Sequence, residues 1–340
     1  MATLTIRDIA KMAGVSTTAV SFVLNDRPGV SDATREHVKA IIAQTGFTPN
    51  VHTRRLNLGK SFTVQVVLRR YNNSLFSQFT QETMQGIFKA SHALGYSITF
   101  TFLDVQFDCE QLMNSVRSKD CDGLILYQIA DPSFLARLRQ EQIPFVCVDA
   151  HISQDGAIPL VEVDYYSASR MATEYLCENG HADIGFIGSR APGTYYLNTF
   201  GGYVDALKAN NLEYSQEWTL QLPYDETITY KAFDSLLQSG KLPTAFFCAG
   251  DAYAIPAMRA FKEHGIRIPN DVSFMSLDDL MISRYLDPPL STMTFDKERM
   301  GARAMELLYQ ILQGENFNRV NLLPMQVAPR GTVLNRLAKP

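Results

Sequence analysis

From residue 62 onward, short apolar runs alternate with longer amphipathic stretches, and this rhythm constrains the fold more than any other feature of the chain. Residues 63–68, 97–103, 123–127 and 144–148 read as buried strands, and a second set follows at 183–187, 243–249 and 272–277. Apolar residues at helical spacing mark 78–94, 165–178, 252–264 and 296–312 between them. A strand, a crossover helix and another strand make a parallel sheet covered by helices. The length of the region calls for two such sheets rather than one. Ligands of open parallel sheets sit beyond the carboxyl ends of the strands, so two facing lobes would form a cleft from those ends.

The 340 residues, 46% hydrophobic and 19% charged, suit a globular protein of two or three compact units. No apolar run reaches the roughly 18 residues a membrane span needs, so no membrane partner is expected. Residues 1–11 lack the basic, apolar and small-residue order of a secretory signal, and the expected location is the cytoplasm. Cys109, Cys121, Cys147, Cys177 and Cys248 are odd in number and far apart, without a C-x-x-C pair. They read as reduced thiols, and neither a metal nor a cofactor is expected. The net charge of −4 is unevenly spread: residues 1–60 hold eight basic against four acidic side chains, which leaves the rest at −8. A basic end on an acidic body suits a phosphate-backbone contact confined to that end.

That end reads as three short helices. Ile6, Ile9, Ala10 and Ala13 share one helical face, and Gly14 then breaks the pattern. Ser16 can cap a second helix running to about Asn25, with Val20, Val23 and Leu24 inward and Thr17, Thr18, Ser21, Phe22 and Asn25 outward. Ser31 can cap a third helix, closed by Val38, Ile41 and Ile42 and ended by Gly46. This is the helix-turn-helix layout, in which the second helix enters the major groove and presents here Thr17, Thr18 and Phe22 to base edges. Similar three-helix units also serve as protein-interaction modules, so geometry alone leaves both uses open.

The residues themselves narrow the choice. Thr5-Ile6-Arg7-Asp8-Ile9-Ala10, Ala13-Gly14-Val15-Ser16, Ala19-Val20-Ser21, Leu24-Asn25, Val30-Ser31, Thr34-Arg35 and Gly46-Phe47-Thr48-Pro49-Asn50 resemble, in order and spacing, the head of the lactose-repressor (LacI/GalR) family. The resemblance continues through Cys121-Asp122-Gly123, Pro144-Phe145-Val146, Gly180-His181-Ala182-Asp183, Pro243-Thr244-Ala245, Gly265-Ile266-Arg267-Ile268-Pro269 and Pro288-Pro289-Leu290-Ser291-Thr292. It implies an all-α helix-turn-helix head followed by an α/β periplasmic-binding-protein-like sensor of two parallel-sheet lobes. The implied boundaries are 1–49 for the head, 50–61 for a hinge helix and 62–340 for the sensor. Within the sensor, 62–161 with 293–326 would form the first lobe, and 162–292 with 327–340 the second.

The resemblance also implies partners and sites: double-stranded, pseudo-palindromic operator DNA, a homodimer and a small-molecule effector. In the head the implied DNA contacts are Thr5, Ser16, Thr17, Thr18, Ser21, Phe22, Asn25, Ser31, Thr34 and Asn50. In the hinge, Leu56 takes the place of the leucine that relatives insert into the minor groove, flanked by Arg54 and Arg55, with Thr53 where a small alanine is common. Phe22 stands where many members carry arginine, and so offers a thymine methyl apolar contact in place of a guanine fork. The implied effector contacts are Phe76, Tyr127, Asp149, Thr199, Tyr224, Asp251, Asp278 and Phe295. Asp251, just ahead of a helix, reads equally as a helix cap.

One departure bears on the ligand. Where most relatives carry an arginine before a glycine-aromatic pair, this chain reads Thr199-Phe200-Gly201-Gly202-Tyr203, so a five-donor fork is missing. The expected effector is therefore neutral and ring-containing, a sugar or sugar derivative ahead of a nucleobase-like compound. No enzyme is expected: Gly185-Phe186-Ile187-Gly188-Ser189 lacks dinucleotide or phosphate-loop spacing, and the six histidines form no catalytic pattern. A transport binding protein would fit the body but not the head, and a regulator switched by a protein corepressor remains open.

Overall fold

Local signals build the small unit. In the computed structural model, Thr5 and Asp8 close a reciprocal cap at the start of α1 (Ile6–Ala13), with the Thr5 amide donating to Asp8 Oδ2 at 2.8 Å. Gly14, at φ 64°, ends that helix. Ser16 Oγ accepts from the Ala19 amide at 3.1 Å to open α2 (Thr17–Leu24), and Ser31 Oγ accepts from Thr34 at 3.3 Å to open α3 (Asp32–Thr45). Each such cap is worth about 1 kcal/mol. Ile9, Ala10, Ala13, Val20, Val23, Val38 and Phe47 form the shared core. Arg35 braces the turn after α2, reaching Asp26 Oδ1 and the Arg27 carbonyl at 2.7 Å each.

The chain divides into two compact units, Met1–Phe62 and Thr63–Pro340. The structure describes residues 4–24, 26–47, 59–69, 78–103, 109–153, 156–189, 194–238 and 240–337. The expectations for Asn25, Asn50, Thr53, Arg54, Leu56 and Phe76 lie outside these residues.

The large unit alternates strands with helices. Its first lobe carries β1 (Thr63–Arg69), α4 (Gln78–Ala93), β2 (Ser97–Leu103), α5 (Cys109–Arg117), β3 (Gly123–Tyr127), α6 (Pro132–Gln140), β4 (Phe145–Val148) and β5 (Leu160–Val163). The second adds α7 (Tyr165–Glu178), β6 (Ile184–Ser189), α8 (Thr194–Ala209), β7 (Thr219–Leu222), α9 (Glu226–Gln238), β8 (Ala245–Cys248), α10 (Asp251–Glu263), β9 (Ser273–Leu277) and β10 (Ser291–Thr294). The chain then returns through α11 (Lys297–Gln313) and β11 (Val320–Leu323) and ends with β12 (Gln326–Ala328). One six-stranded sheet runs β11-β5-β4-β3-β1-β2, and the other runs β12-β10-β9-β8-β6-β7. All neighbours are parallel except β10 with β12. Every residue of β3, β4, β8 and β9 is buried, as sheets covered on both faces require.

The lobe crossings differ from the expected ones by one or two residues. Glu162 and Val163 belong to the first sheet through β5, Met293 and Thr294 to the second through β10, and Gln326 to the second through β12. The apolar rhythm also missed the short edge strands β7, β11 and β12, because half-buried strands of three or four residues carry no distinctive run. α4 and α11 cross at Gly86 and Gly301, where a Cβ on either would lie 1.9 Å from a backbone oxygen of the other helix. That approach fixes the start of α11, and with it Phe295 and Lys297, against α4.

Candidate functional site

Sheet register assembles the cleft. Tyr127 pairs with Val148 and Val148 with Val161, so Gln128, Asp149 and Glu162 come together one step beyond the last pairs. From the other lobe, Asp278 follows β9 and Asp251 opens α10. Asp149, His151, Asp278 and Asp279 all take positive φ, from 47° to 97°, a conformation uncommon for residues other than glycine and concentrated here at the strand ends.

Asp149 is buried, and its carboxylate accepts from Tyr165 Oη and from Gln128 Nε2, both at 2.8 Å. The His151 amide donates to Glu162 Oε1 at 2.6 Å. Its ring lies between two carboxylates, Nδ1 3.0 Å from Glu162 and Nε2 3.8 Å from Asp149. Burial pulls this imidazole down, but Asp149 and Glu162 outweigh it, so the group ends above its ordinary value. The rings of His151, Tyr165 and Tyr195 pack mutually, with centroids 4.8–5.4 Å apart. Tyr195 Oη donates to the Ala249 carbonyl at 2.9 Å.

Asp278 has a different environment. No hydrogen bond reaches its carboxylate among the described residues, while Asp251 and Asp149 stand near it. Burial and then those carboxylates push it up to about 7, against the pull of Lys297 and His151. Gly250, at φ 126°, leaves room for it: a Cβ there would sit 3.2 Å from Asp278 Oδ2.

The other expected contacts are placed as follows. Tyr127 is buried, its hydroxyl 3.3 Å from Thr80 Oγ1, within electrostatic reach of Asp149 and Asp278. Tyr224 is exposed and meets the Tyr253 ring edge-on at 5.5 Å. Thr199 is fully buried inside α8 and donates back to the Tyr195 carbonyl at 2.9 Å, so its hydroxyl hydrogen is engaged within the helix. Asp251 neither caps its helix nor turns to the cleft. It accepts from the Leu280 amide, Ser283 Oγ and Thr292 Oγ1 at 2.6–2.9 Å, holding the loop after β9. Phe295 stands against Phe79 and Lys297, at 5.6 and 5.0 Å, and lines a cavity of about 230 Å³ with Gln78, Glu82, Asp279, Met281, Arg284, Thr294 and Lys297. Gln128, His151, Glu162, Tyr165 and Tyr195 were not anticipated. Gln128 and Tyr165 lie one and two residues past β3 and β5, Glu162 lies in β5, His151 lies three residues past β4 and Tyr195 is the second residue of α8, and only the register brings them together.

On the small unit, Thr17 and Thr18 are exposed and Ser21 and Phe22 partly so. The Phe22 ring packs on the turn: a Cβ on Gly29 would lie 2.9 Å from it, so part of the ring serves the fold. Thr5, Ser16 and Ser31 are exposed and cap helices, and Thr34 is half-buried.

A helix-turn-helix unit followed by two facing parallel-sheet lobes defines a class, the DNA-binding transcriptional regulators with an effector domain. The family model for bacterial regulatory proteins of the lacI family matches residues 5–50, and that for the periplasmic binding protein-like domain matches 173–333. The ribose operon repressor of Haemophilus influenzae is 32% identical over 92% of this chain and 93% of its own length. The HTH-type transcriptional repressor PurR of Histophilus somni is 28% identical, covering 94% and 96%. A transcriptional regulator CelR–cellobiose complex superposes with a TM-score of 0.73 at 26% identity, covering 97% and 99%. The chain belongs to the lacI family of bacterial regulatory proteins, which are DNA-binding regulators of transcription and not enzymes. Among the described residues no helix is long and apolar enough to cross a membrane.

Proposed function

We propose that the protein is a repressor that binds a pseudo-palindromic operator as a homodimer and is controlled by a neutral sugar or sugar derivative held between the lobes. Residues 1–49 would carry the reading helix and 50–61 the hinge, with Thr17, Thr18 and Phe22 at base edges and Leu56 in the minor groove. One head reads too few base pairs for selectivity in a genome, and two-fold symmetry doubles the site. Two relatives bear on the ligand: one is named a ribose operon repressor, and one structural neighbour is a cellobiose complex.

The observation that carries the ligand class is the direction of the hydrogen bonds. Tyr165, Gln128, Tyr195 and Thr199 already donate to protein acceptors. What the cleft offers a ligand is acceptors, above all Asp278, and an acceptor site selects hydroxyl or amine donors. Anionic groups would meet the buried carboxylates of Asp149 and Glu162 there, with Asp278 beside them. A nucleobase-like ligand is the second reading, favoured by the packed His151, Tyr165 and Tyr195 rings and by a PurR relative.

Calorimetry on the full chain with neutral pentoses and hexoses, their phosphates and purine bases separates these readings. Micromolar binding of a sugar phosphate in preference to its neutral parent would contradict the proposal. For the hinge, Leu56→Ala should weaken operator binding far more than binding to unrelated DNA, and equal losses would remove the minor-groove role.

A further inference from the structure

Beside the chain crossing at Thr294 and Phe295, polar bonds bridge the seam between the two lobes. The loop after β9 belongs to the second lobe, yet side chains from two first-lobe helices grip its backbone. The Met281 amide donates to Gln78 Oε1, at the start of α4. Lys297 Nζ, at the start of α11, donates to the Asp279 carbonyl at 3.4 Å. Glu82, one turn on from Gln78, joins the two grips: its carboxylate accepts from Gln78 Nε2 and lies 3.9 Å from Lys297 Nζ. Within its own lobe the loop is fixed by Arg284 and Arg330 on Asp279 and by Asp251 on the Leu280 amide. It therefore moves with the second lobe rather than as a free flap.

These bonds border the cavity of about 230 Å³, which Gln78, Glu82 and Lys297 line from one lobe and Asp279, Met281 and Arg284 from the other. Lobes packed through apolar side chains would lose that burial on parting. A seam bridged by polar bonds at a cavity exchanges them for water at small net cost. Lys297 sharpens this balance. Its side chain is 3% exposed, and its ammonium lies over the Phe295 and Phe79 rings at 5.0 and 6.0 Å. A buried ammonium needs partners or water. Here a carbonyl of the opposite lobe is a partner, and parting the lobes would replace it with water.

We propose that Gln78, Glu82 and Lys297 form a latch that holds the two lobes in this arrangement, and that any movement of the lobes on cleft occupancy must break it. Glu82 engages both of the others, so loosening one end of the network frees the other. The gripped loop begins one residue after Asp278, so a ligand that shifts Asp278 acts directly on the latch. This goes beyond the ligand reading and requires neither the effector nor the operator to be known.

Hydrogen exchange on the ligand-free full chain tests it, comparing wild type with Lys297→Met, Lys297→Arg and Gln78→Ala. Lys297→Met keeps length and ring packing but removes the charge and the donors, and it touches no backbone amide of the loop. Loss of the latch should speed exchange at least about fivefold in both seam segments, 279–284 and 78–84, with β3 and β8 unchanged. Lys297→Arg should restore most of the protection, and Gln78→Ala should loosen the same two segments. Wild-type exchange in Lys297→Met, or faster exchange on one side of the seam only, overturns the latch. Should Lys297→Met loosen β3 and β8 as well, Gln78→Ala decides, since it removes no buried charge: an effect confined to the Met281 amide overturns the proposal, and one on both segments supports it. With no DNA or effector present, either result leaves the repressor and ligand readings to their own tests.

Discussion

The two units present opposite chemistry to their partners. The small one is basic and shows free hydroxyls, Thr17 and Thr18, on the outer face of α2. The cleft of the large one has turned its hydroxyls inward and shows carboxylate and aromatic surface instead. Donors and positive charge suit phosphates and base edges, whereas acceptors suit a ligand that brings its own donors. One fold thus separates its two recognition tasks by the direction of hydrogen bonding as well as by position. The contrast implies that substitutions in one unit leave the other's intrinsic binding intact and alter only the coupling.

Asp149→Ala should separate the two units' binding most sharply. It removes the acceptor for Tyr165 and Gln128 and one wall of the His151 site. Losing hydrogen bonds to a charged group costs about 1.5–3 kcal/mol each. Effector affinity should fall about 100-fold or more by calorimetry, while operator binding by the ligand-free protein stays within threefold of wild type.

Next in size is Asp278→Asn. In the folded protein this carboxyl is raised from 3.8 to about 7, so the folded state holds its proton more tightly than the unfolded chain. The native state is therefore favoured at low pH and loses that advantage between about pH 4 and 7. Removing the charge should stabilise the ligand-free protein at pH 8, by on the order of 1–4 kcal/mol, and do little at pH 4. Thermal melts at the two pH values check it; equal shifts would mean that Asp278 is not held among carboxylates.

Smaller still is the expected effect of Thr18→Ala. If its hydroxyl meets a base edge, specific operator binding should weaken by about 1–3 kcal/mol, with no change on unrelated DNA or in effector affinity. The slope of log affinity against log salt should also stay unchanged, because no phosphate contact is lost. A parallel loss on both DNAs would place Thr18 on the backbone.

The same contrast explains what the residue string made legible. In the small unit, Thr5, Ser16 and Ser31 cap helices and Gly14 and Gly46 end them, all within a few residues of what they control. Such short-range grammar can be read directly. The cleft draws on the ends of β3, β4, β5, β8 and β9 and the starts of α7 and α8, which are distant in the chain. The resemblance to the family suggested Tyr127, Asp149 and Asp278. It could not show that Asp251 faces the loop at Leu280, or that Thr199 bonds to its own helix. Nor could it bring Glu162 to His151, because that contact exists only once β4 and β5 are in register.

If one chain couples operator reading to occupancy of the cleft, sequencing the genomic fragments retained by the full-length protein, with and without a compound that calorimetry shows bound, and measuring affinity for the enriched site will reveal it. The expected result is a discrete pseudo-palindrome whose affinity changes at least tenfold on ligand addition, with no change in Asp149→Ala. Enrichment of no sequence, or an operator affinity indifferent to a fully occupied cleft, would contradict it.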